Sequence, residues 1–100
     1  LVLRPWLGVS GLSVTPEIAS YYRLPVQRGA LIADVMAGSP ADKAEMRRGN
    51  IIIGFGDNAI NGVDGLVKEV QKGKIGEKAK VLLLRGDEKW IADVTLEKTP

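Results

Sequence analysis

One stretch of the chain carries a continuous apolar stripe at helical spacing. Its members recur at i, i+3, i+4 and i+7, which is typical of an amphipathic helix. Asn61 and Asp64 lie where a helix cap and its partner are expected, and Gly73 is predicted to take the left-handed position that ends the helix. The stripe consists of Val63, Leu66, Val67 and Val70.

Two shorter helices are predicted from their start signals. Thr15 followed by Pro16 places a hydroxyl cap and a proline where a helix begins. This helix is brief, because Pro25 disfavours helical backbone at the residue before it. Ser39 followed by Pro40 is the second start signal, and we expect the helix that follows to end near residues 48–49.

Short apolar runs between turn residues predict strands. The final pair alternates in polarity, is joined by the turn at residues 85–88, and is predicted to form a hairpin. Together with the helices, these strands indicate a mainly β fold: a five- to six-stranded antiparallel barrel or sandwich capped by two or three short helices. The predicted strands are 9–14, 30–36, 51–55, 59–60, 80–84 and 89–96.

Composition excludes several classes of function. The chain has 100 residues, enough for a single domain, with 45% apolar and 26% charged residues and a net charge of +2. The basic residues are scattered, which does not fit a nucleic-acid-binding surface. Cysteine and histidine are both absent, which removes thiol chemistry, the usual general base and the commonest metal ligand. We expect no catalytic residues, metal site or cofactor in this chain, and no apolar run is long enough to span a membrane.

Trp6-Leu7-Gly8-Val9 is the candidate binding loop. Glycine allows the backbone to turn so that successive N–H groups converge on an anion. Leu7 and Val9 would give that site apolar walls, a combination that suits a peptide ending in a hydrophobic residue with a free carboxylate. The alternative is that both side chains are core residues at the start of a strand.

Two other motifs have simpler explanations than a binding function. Arg85-Gly86-Asp87 matches an integrin-recognition tripeptide, but glycine and aspartate are also the residues that hairpin turns use. Arg47-Arg48 is the only basic doublet, and its position favours a solvated helix end.

The order of elements and motifs over roughly residues 4–97 resembles a PDZ domain, in the circularly permuted bacterial form of the HtrA/Deg-type serine proteases. The two departures from the family pattern are Glu45, where glycine is usual and positive φ is often needed, and Asn50, where aspartate is usual. The resemblance is carried by Arg4-Pro5-Trp6-Leu7-Gly8-Val9, Gly29-Ala30-Leu31-Ile32 through Val35, Ser39-Pro40-Ala41 with Ala44, Arg48-Gly49-Asn50-Ile51-Ile52 and Leu83-Leu84-Arg85-Gly86.

The resemblance implies peptide binding by β-strand addition. The N–H groups of Leu7, Gly8 and Val9 would hold the terminal carboxylate, and the peptide would pair with residues 9–12. Val63 stands where other PDZ domains carry a histidine that binds a Ser or Thr hydroxyl, so we expect a hydrophobic preference two residues before the peptide's C-terminus. The remaining groove residues implied are Trp6, Ser10, Gly11, Leu12, Val63, Val67 and Val70.

The resemblance also implies a larger parent protein. We expect residues 1–100 to be a single PDZ domain, a fragment lacking a protease domain that would precede Leu1. The parent would be an extracytoplasmic serine endopeptidase, periplasmic or membrane-anchored. Its partners would be C-terminal or unfolded polypeptide segments, the protease domain of the same chain, and further copies through the parent.

Other parents and another role remain open at this stage. The same fold would serve a site-2 metalloprotease, a C-terminal processing protease or a secretion component. A different role, with the groove closed or filled, is a domain that mediates oligomer contacts.

Overall fold

The computed structural model describes residues 4–100, and all structural statements below concern that range. It contains short strands and three helices in an order that follows the predicted one closely. The strands are β1 (Pro5–Trp6), β2 (Val9–Val14), β3 (Gly29–Val35), β4 (Ile51–Phe55), β5 (Asn58–Ala59), β6 (Lys78–Arg85), β7 (Glu88–Thr95) and β8 (Glu97–Lys98). The helices are α1 (Pro16–Tyr22), α2 (Pro40–Lys43) and α3 (Val63–Lys72).

The main sheet is antiparallel and open. Its strands lie in the order β2-β3-β4-β6-β7, with β5 paired to β4, while β1 and β8 form a separate two-stranded sheet. Within the described range, β2 and β7 are the two edges of the main sheet and do not pair with each other. The predicted mainly β fold with short helices is therefore confirmed, with the sheets not closed into a barrel.

The central strands are apolar because both faces of the main sheet are covered. On one face, side chains from β3, β4 and β6 pack with α2 and α3 in the larger cluster, which includes Ile32, Ile52 and Leu83. On the other face, α1 covers a smaller cluster of Val14, Ala19, Ile51 and Leu84. These are the positions at which strand alternation sends successive side chains to opposite faces.

The starts of α1 and α2 are as predicted, and the end of α2 is not. The hydroxyl of Thr15 accepts a hydrogen bond from the N–H of Ile18 at 3.2 Å, and Ser39 caps α2 in the same way. α2 ends at Lys43 instead of near residues 48–49. Glu45 adopts φ 64°, a left-handed conformation that a helix cannot contain, so the chain leaves the helix there.

The stripe at residues 63–70 does form a helix, but its predicted ends are wrong. The cap residue of α3 is Gly62, so Asn61 is not the cap. The N–H of Val63 instead donates to the hydroxyl of Ser13 in β2, at 2.8 Å. Gly73 has φ −74° and is not left-handed. A Cβ atom there would lie 2.6 Å from the Cδ1 atom of the buried Leu96, so close packing favours a glycine.

The final hairpin forms as predicted, with Arg85 and Glu88 paired across the turn. The predicted apolar face of its second strand is only partly buried. Val94 is buried, whereas Trp90 is 45% exposed and lies under the Arg85 guanidinium, 4.6 Å from the ring centre. None of the helices in the described range is long and apolar enough to cross a membrane.

Candidate functional site

A cleft of about 240 Å³ opens between the free edge of β2 and helix α3. Its walls are mostly apolar, and Arg4 is the only charged residue among those of the described range that line it. The cleft begins at the loop between β1 and β2, which is the candidate binding loop. The lining consists of Arg4, Pro5, Trp6, Leu7, Gly8, Val9, Ser10, Gly11, Ala30, Leu31, Ile32, Val63, Leu66, Val67, Val70, Gln71 and Thr99.

The carbonyl groups of the binding loop are turned away from the cleft. The C=O of Leu7 accepts a hydrogen bond from the N–H of Ala41 at 2.9 Å, and the C=O of Gly8 accepts one from the N–H of Met36 at 2.9 Å. In a trans peptide the C=O and the following N–H point in opposite directions. The N–H groups of Gly8 and Val9 therefore point away from α2 and β3, towards the cleft.

Gly8 is required by both conformation and space. Its φ of 89° is one that side-chain-bearing residues rarely adopt. A Cβ atom there would lie 2.1 Å from the Cβ of Ser39. Ser39 is fully buried, and its hydroxyl accepts a hydrogen bond from the N–H of Asp42 at 3.1 Å. The start of α2 thus packs directly beneath the loop and holds it in place.

The backbone of β2 has free hydrogen-bonding groups along the cleft. The bond from Met36 to Gly8 makes Val9 and Val35 a non-hydrogen-bonded pair of the antiparallel ladder. The N–H and C=O of Val9 consequently face outward, and by alternation those of Gly11 do too. This edge can accept an added antiparallel strand.

A bulge shapes this edge. The register between β2 and β3 shifts between Ser10 and Gly11, which leaves Ala33 of β3 without a partner. A Cβ atom on Gly11 would lie 2.2 Å from the carbonyl oxygen of Leu31. Gly11 is therefore a glycine because the bulge brings β3 close, and it leaves the cleft without a side chain at this point.

Helix α3 forms the opposite wall of the cleft. Val63 lies at its first turn, Leu66 and Val70 are buried against the core, and Val67 remains 47% exposed. The hydrogen bond from the Val63 N–H to Ser13 ties the start of the helix to β2. The width of the cleft at this end is thereby fixed by a contact between its two walls.

The structure brings together all of the predicted site residues except Leu12. Leu12 pairs with Leu31, whose side chain packs against the smaller cluster on the opposite face of the sheet. Its own side chain is 43% exposed there and does not line the cleft. Strand alternation could have separated Leu12 from Val9 and Gly11, since residues i and i+2 share a face and i+1 does not.

Several lining residues were not predicted. Leu66 belongs to the same helical stripe, and Gln71 lies four residues after Val67, so the helical period could have predicted both as lining residues of the cleft. Residues of β3 and the segment after β8 gave none, because only the tertiary fold brings them to the loop. These residues are Ala30, Leu31, Ile32 and Thr99.

Among the described residues, the lining of the cleft contains a cation and no carboxylate. Arg4 is among the lining residues, so a carboxylate bound in the cleft would meet positive potential. Glu69 of α3 is not among the lining residues. Hydrogen bonds from Asn58 and Lys72 hold the pKa of Glu69 below its ordinary value of 4.5.

Comparison with known protein families identifies the family to which this chain belongs. A PDZ domain model matches residues 5–96. Among curated proteins, a probable periplasmic serine endoprotease DegP-like of Hahella chejuensis is 40% identical over 92 residues, covering 91% of this chain and 20% of the relative. The periplasmic pH-dependent serine endoprotease DegQ of Escherichia coli is 32% identical over 96 residues, covering 96% of this chain and 21% of the relative. The chain thus spans about a fifth of the length of these relatives.

Solved structures share the fold over nearly the whole chain. The HtrA-type protease AlgW, solved with a decapeptide, superimposes with a TM-score of 0.88 at 25% identity, covering 99% of this chain and 30% of that one. The HtrA3 PDZ domain, bound to a phage-derived ligand, has a TM-score of 0.84 at 16% identity, covering 98% of this chain and 89% of that one, and supports the fold alone. The resemblance inferred from the sequence is therefore confirmed: the chain belongs to the PDZ domain family and is similar over its whole length to the PDZ domains of HtrA-type proteases.

Proposed function

We propose that this domain binds the hydrophobic C-termini of polypeptides by β-strand addition. The observation that carries the proposal is the pair of outward N–H groups, on Gly8 and Val9, at the head of an apolar cleft beside a free strand edge. A terminal carboxylate would accept from these N–H groups, with the N–H of Leu7 as the third predicted donor. The peptide backbone would pair with β2, and its last side chain would enter between Leu7, Val9 and Val70.

The energetics favour modest affinity. Hydrogen bonds to a charged carboxylate are about twice as strong as neutral ones. Burying one Val- or Leu-sized side chain contributes about 1.5–3 kcal/mol. After the cost of ordering the peptide, we expect micromolar binding, or about −8 kcal/mol.

We further propose that the chain is the PDZ module of a periplasmic HtrA-type serine endoprotease. The support is the similarity to relatives whose names carry that activity and location, of which this chain spans about a fifth. The module would present exposed C-termini or unfolded segments to a protease domain of the same chain, or regulate that domain. Contacts between copies would then run through the parent protein.

Calorimetric titration with a short peptide ending in valine tests the binding mode. The free acid is expected to bind with micromolar affinity, and the C-terminal amide to bind at least about tenfold more weakly, since it loses charge-assisted bonds. Equal binding of acid and amide would contradict carboxylate recognition. No binding of either form would favour the alternative role in oligomer contacts.

A matched pair of variants locates the site. Val67→Glu places a charge in the cleft at a half-exposed position, so it should weaken binding by about tenfold or more with little cost to folding. Leu12→Glu is the control, because Leu12 has similar exposure, 43% against 47%, and lies on the opposite face of β2. If Leu12→Glu weakened binding as much as Val67→Glu, the peptide would not bind in the cleft between β2 and α3.

A further inference from the structure

β7 is the second free edge of the main sheet, on the side opposite the cleft. It is eight residues long and pairs with β6, and no strand of residues 4–100 pairs with its other side. Two large apolar side chains near its middle are solvent-accessible: Trp90 is 45% exposed and Ile91 is 64% exposed. A long edge strand with exposed apolar residues is a template for another strand.

The hydrogen-bond pattern determines which backbone groups of β7 are free. The C=O of Lys80 in β6 accepts a hydrogen bond from the N–H of Gly56, which follows β4 directly. The backbone N–H and C=O groups of Lys80, and of every second residue of β6 from it, therefore point towards β4 and away from β7. Asp93 lies opposite Lys80 in the ladder, and its own N–H and C=O therefore point outward from the sheet. The same holds for every second residue of the strand. The outward-facing positions are Lys89, Ile91, Asp93 and Thr95.

We propose that β7 pairs antiparallel with β7 of a second copy of this chain, about a two-fold axis at Ile91. In this register the two Ile91 residues face each other as a hydrogen-bonded pair. Lys89 of each copy then faces Asp93 of the other, twice by symmetry. The two main sheets join into one continuous sheet.

Charge favours this pairing. Within one chain, Asp93 already accepts from the ammonium group of Lys80 at 2.9 Å. In the proposed pair, Asp93 lies between Lys80 of its own chain and Lys89 of the second copy. Opposite charges directly across a ladder stabilise it, whereas like charges destabilise it.

Neighbouring registers lack this complementarity. Moving the two-fold axis to Trp90 places Asp87 opposite Asp93, which is a like-charge pair. Moving it to Ala92 places Asp93 opposite the apolar Ile91. The charges on this edge therefore favour the register centred on Ile91 over these two neighbours.

Side-chain size on the other face agrees with the same register. Trp90 of each copy would lie opposite Ala92 of the other, a large residue against a small one. The guanidinium of Arg85, 4.6 Å from the Trp90 ring centre, holds the indole over this face. The axis at Ile91 thus matches both faces of the strand at once.

Peptide binding at the cleft should not depend on formation of the proposed pair. β2 and β7 are opposite edges of the main sheet, so the clefts of the two copies would lie at the two outer ends of the joined sheet. Variants that disrupt the pair should therefore keep the affinity for a C-terminal peptide unchanged. Failure of the dimer and failure of peptide binding are distinguishable in this way.

Sedimentation velocity over a concentration series tests the proposal by charge reversal. The unchanged chain is expected to show a monomer–dimer equilibrium. Lys89→Asp alone gives two like-charge pairs, and so does Asp93→Lys alone, so each should weaken dimerisation by about tenfold or more. An equal mixture of the two variants restores opposite charges at both contacts and should dimerise again. Lys68→Asp, on the outer side of α3, is the control and should behave like the unchanged chain.

Carbodiimide cross-linking of mixed light and heavy isotope-labelled chains gives a second readout that needs no substitution. It should join Lys89 of one copy to Asp93 of the other. The proposal is overturned if the chain is monomeric at its highest soluble concentration. It is equally overturned if a dimer forms that neither reversal weakens, or if the mixture of variants stays monomeric.

Discussion

At the residue scale, two positions bear most directly on the proposed peptide recognition. Gly8 combines a left-handed φ of 89° with a close approach to Ser39, so the loop can turn its N–H groups towards a ligand. Val63 lines the first turn of α3 and has no hydrogen-bonding side chain. The first residue supports carboxylate recognition, and the second favours apolar side chains further along the peptide.

The preference attributed to Val63 can be tested by exchange. We expect the unchanged domain to bind a peptide with valine two residues before its C-terminus more tightly than one with threonine. Val63→His should reverse that order, improving threonine binding by about 1 kcal/mol through a new hydrogen bond. Asp64→His is the control, since Asp64 is exposed and does not line the cleft. A strong threonine or serine requirement in the unchanged domain, measured by peptide titration, would contradict the assignment.

At the element scale, the two walls of the cleft are joined by one hydrogen bond. α3 begins at Val63, and its cap residue, Gly62, has no side chain to cap the helix. The hydroxyl of Ser13 in β2 takes that role across the fold, accepting from the Val63 N–H at 2.8 Å. β2 and the start of α3 are therefore positioned as a unit, and the cleft lies between them.

Removing this hydroxyl should loosen the helix start. Ser13→Ala is expected to lower the free energy of unfolding by about 0.5–2 kcal/mol, the usual effect of losing a helix cap, and to weaken peptide binding. Asn61→Ala should change stability by only a few tenths of a kcal/mol, because Asn61 is exposed and is not the cap. Urea denaturation monitored by circular dichroism compares them. A larger loss for Asn61→Ala would mean that the helix is capped locally after all.

At the scale of the whole molecule, the open sheet presents two edges with different chemistry. The β2 edge borders an apolar cleft whose lining includes one cationic residue of the described range, Arg4. The β7 edge carries opposite charges, Lys89 and Asp93, on either side of exposed Ile91, and none of its residues lines the cleft. The same backbone property, unpaired hydrogen-bonding groups, is the basis of both proposals: a peptide at the β2 edge and a second copy at the β7 edge.

Peptide binding should stabilise the fold as a whole, since the cleft is built from β2, β3 and α3 together. A free-acid peptide at about one hundred times its dissociation constant should raise the free energy of unfolding by about 2.7 kcal/mol. The amidated peptide at the same concentration should produce a much smaller shift. Chemical denaturation with each peptide measures the difference, and identical shifts for both would contradict a carboxylate-dependent site.

Local signals in the sequence predicted much of this structure correctly. Thr15 and Ser39 cap the helices that follow them, as predicted. This is a local signal, because the hydroxyl of a cap residue accepts a hydrogen bond from a backbone N–H only three residues further along the chain. The stripe from Val63 to Val70 forms a helix because its apolar face needs burial. Glu45 adopts the positive φ expected at its position, and the carbonyl of this residue accepts from Arg85 at 2.9 Å.

By itself, the sequence determined six of the eight strands of the described residues, the starts of α1 and α2, the family, and the loop and helix that border the cleft, because these depend largely on periodicity and on short-range hydrogen bonds. The tertiary structure alone decided which residue caps α3, since Ser13 lies fifty positions before Val63 in the chain. It also decided why Gly11 and Gly73 are glycines, through close approaches to Leu31 and Leu96. These contacts join segments that are distant in sequence, so no local pattern encodes them.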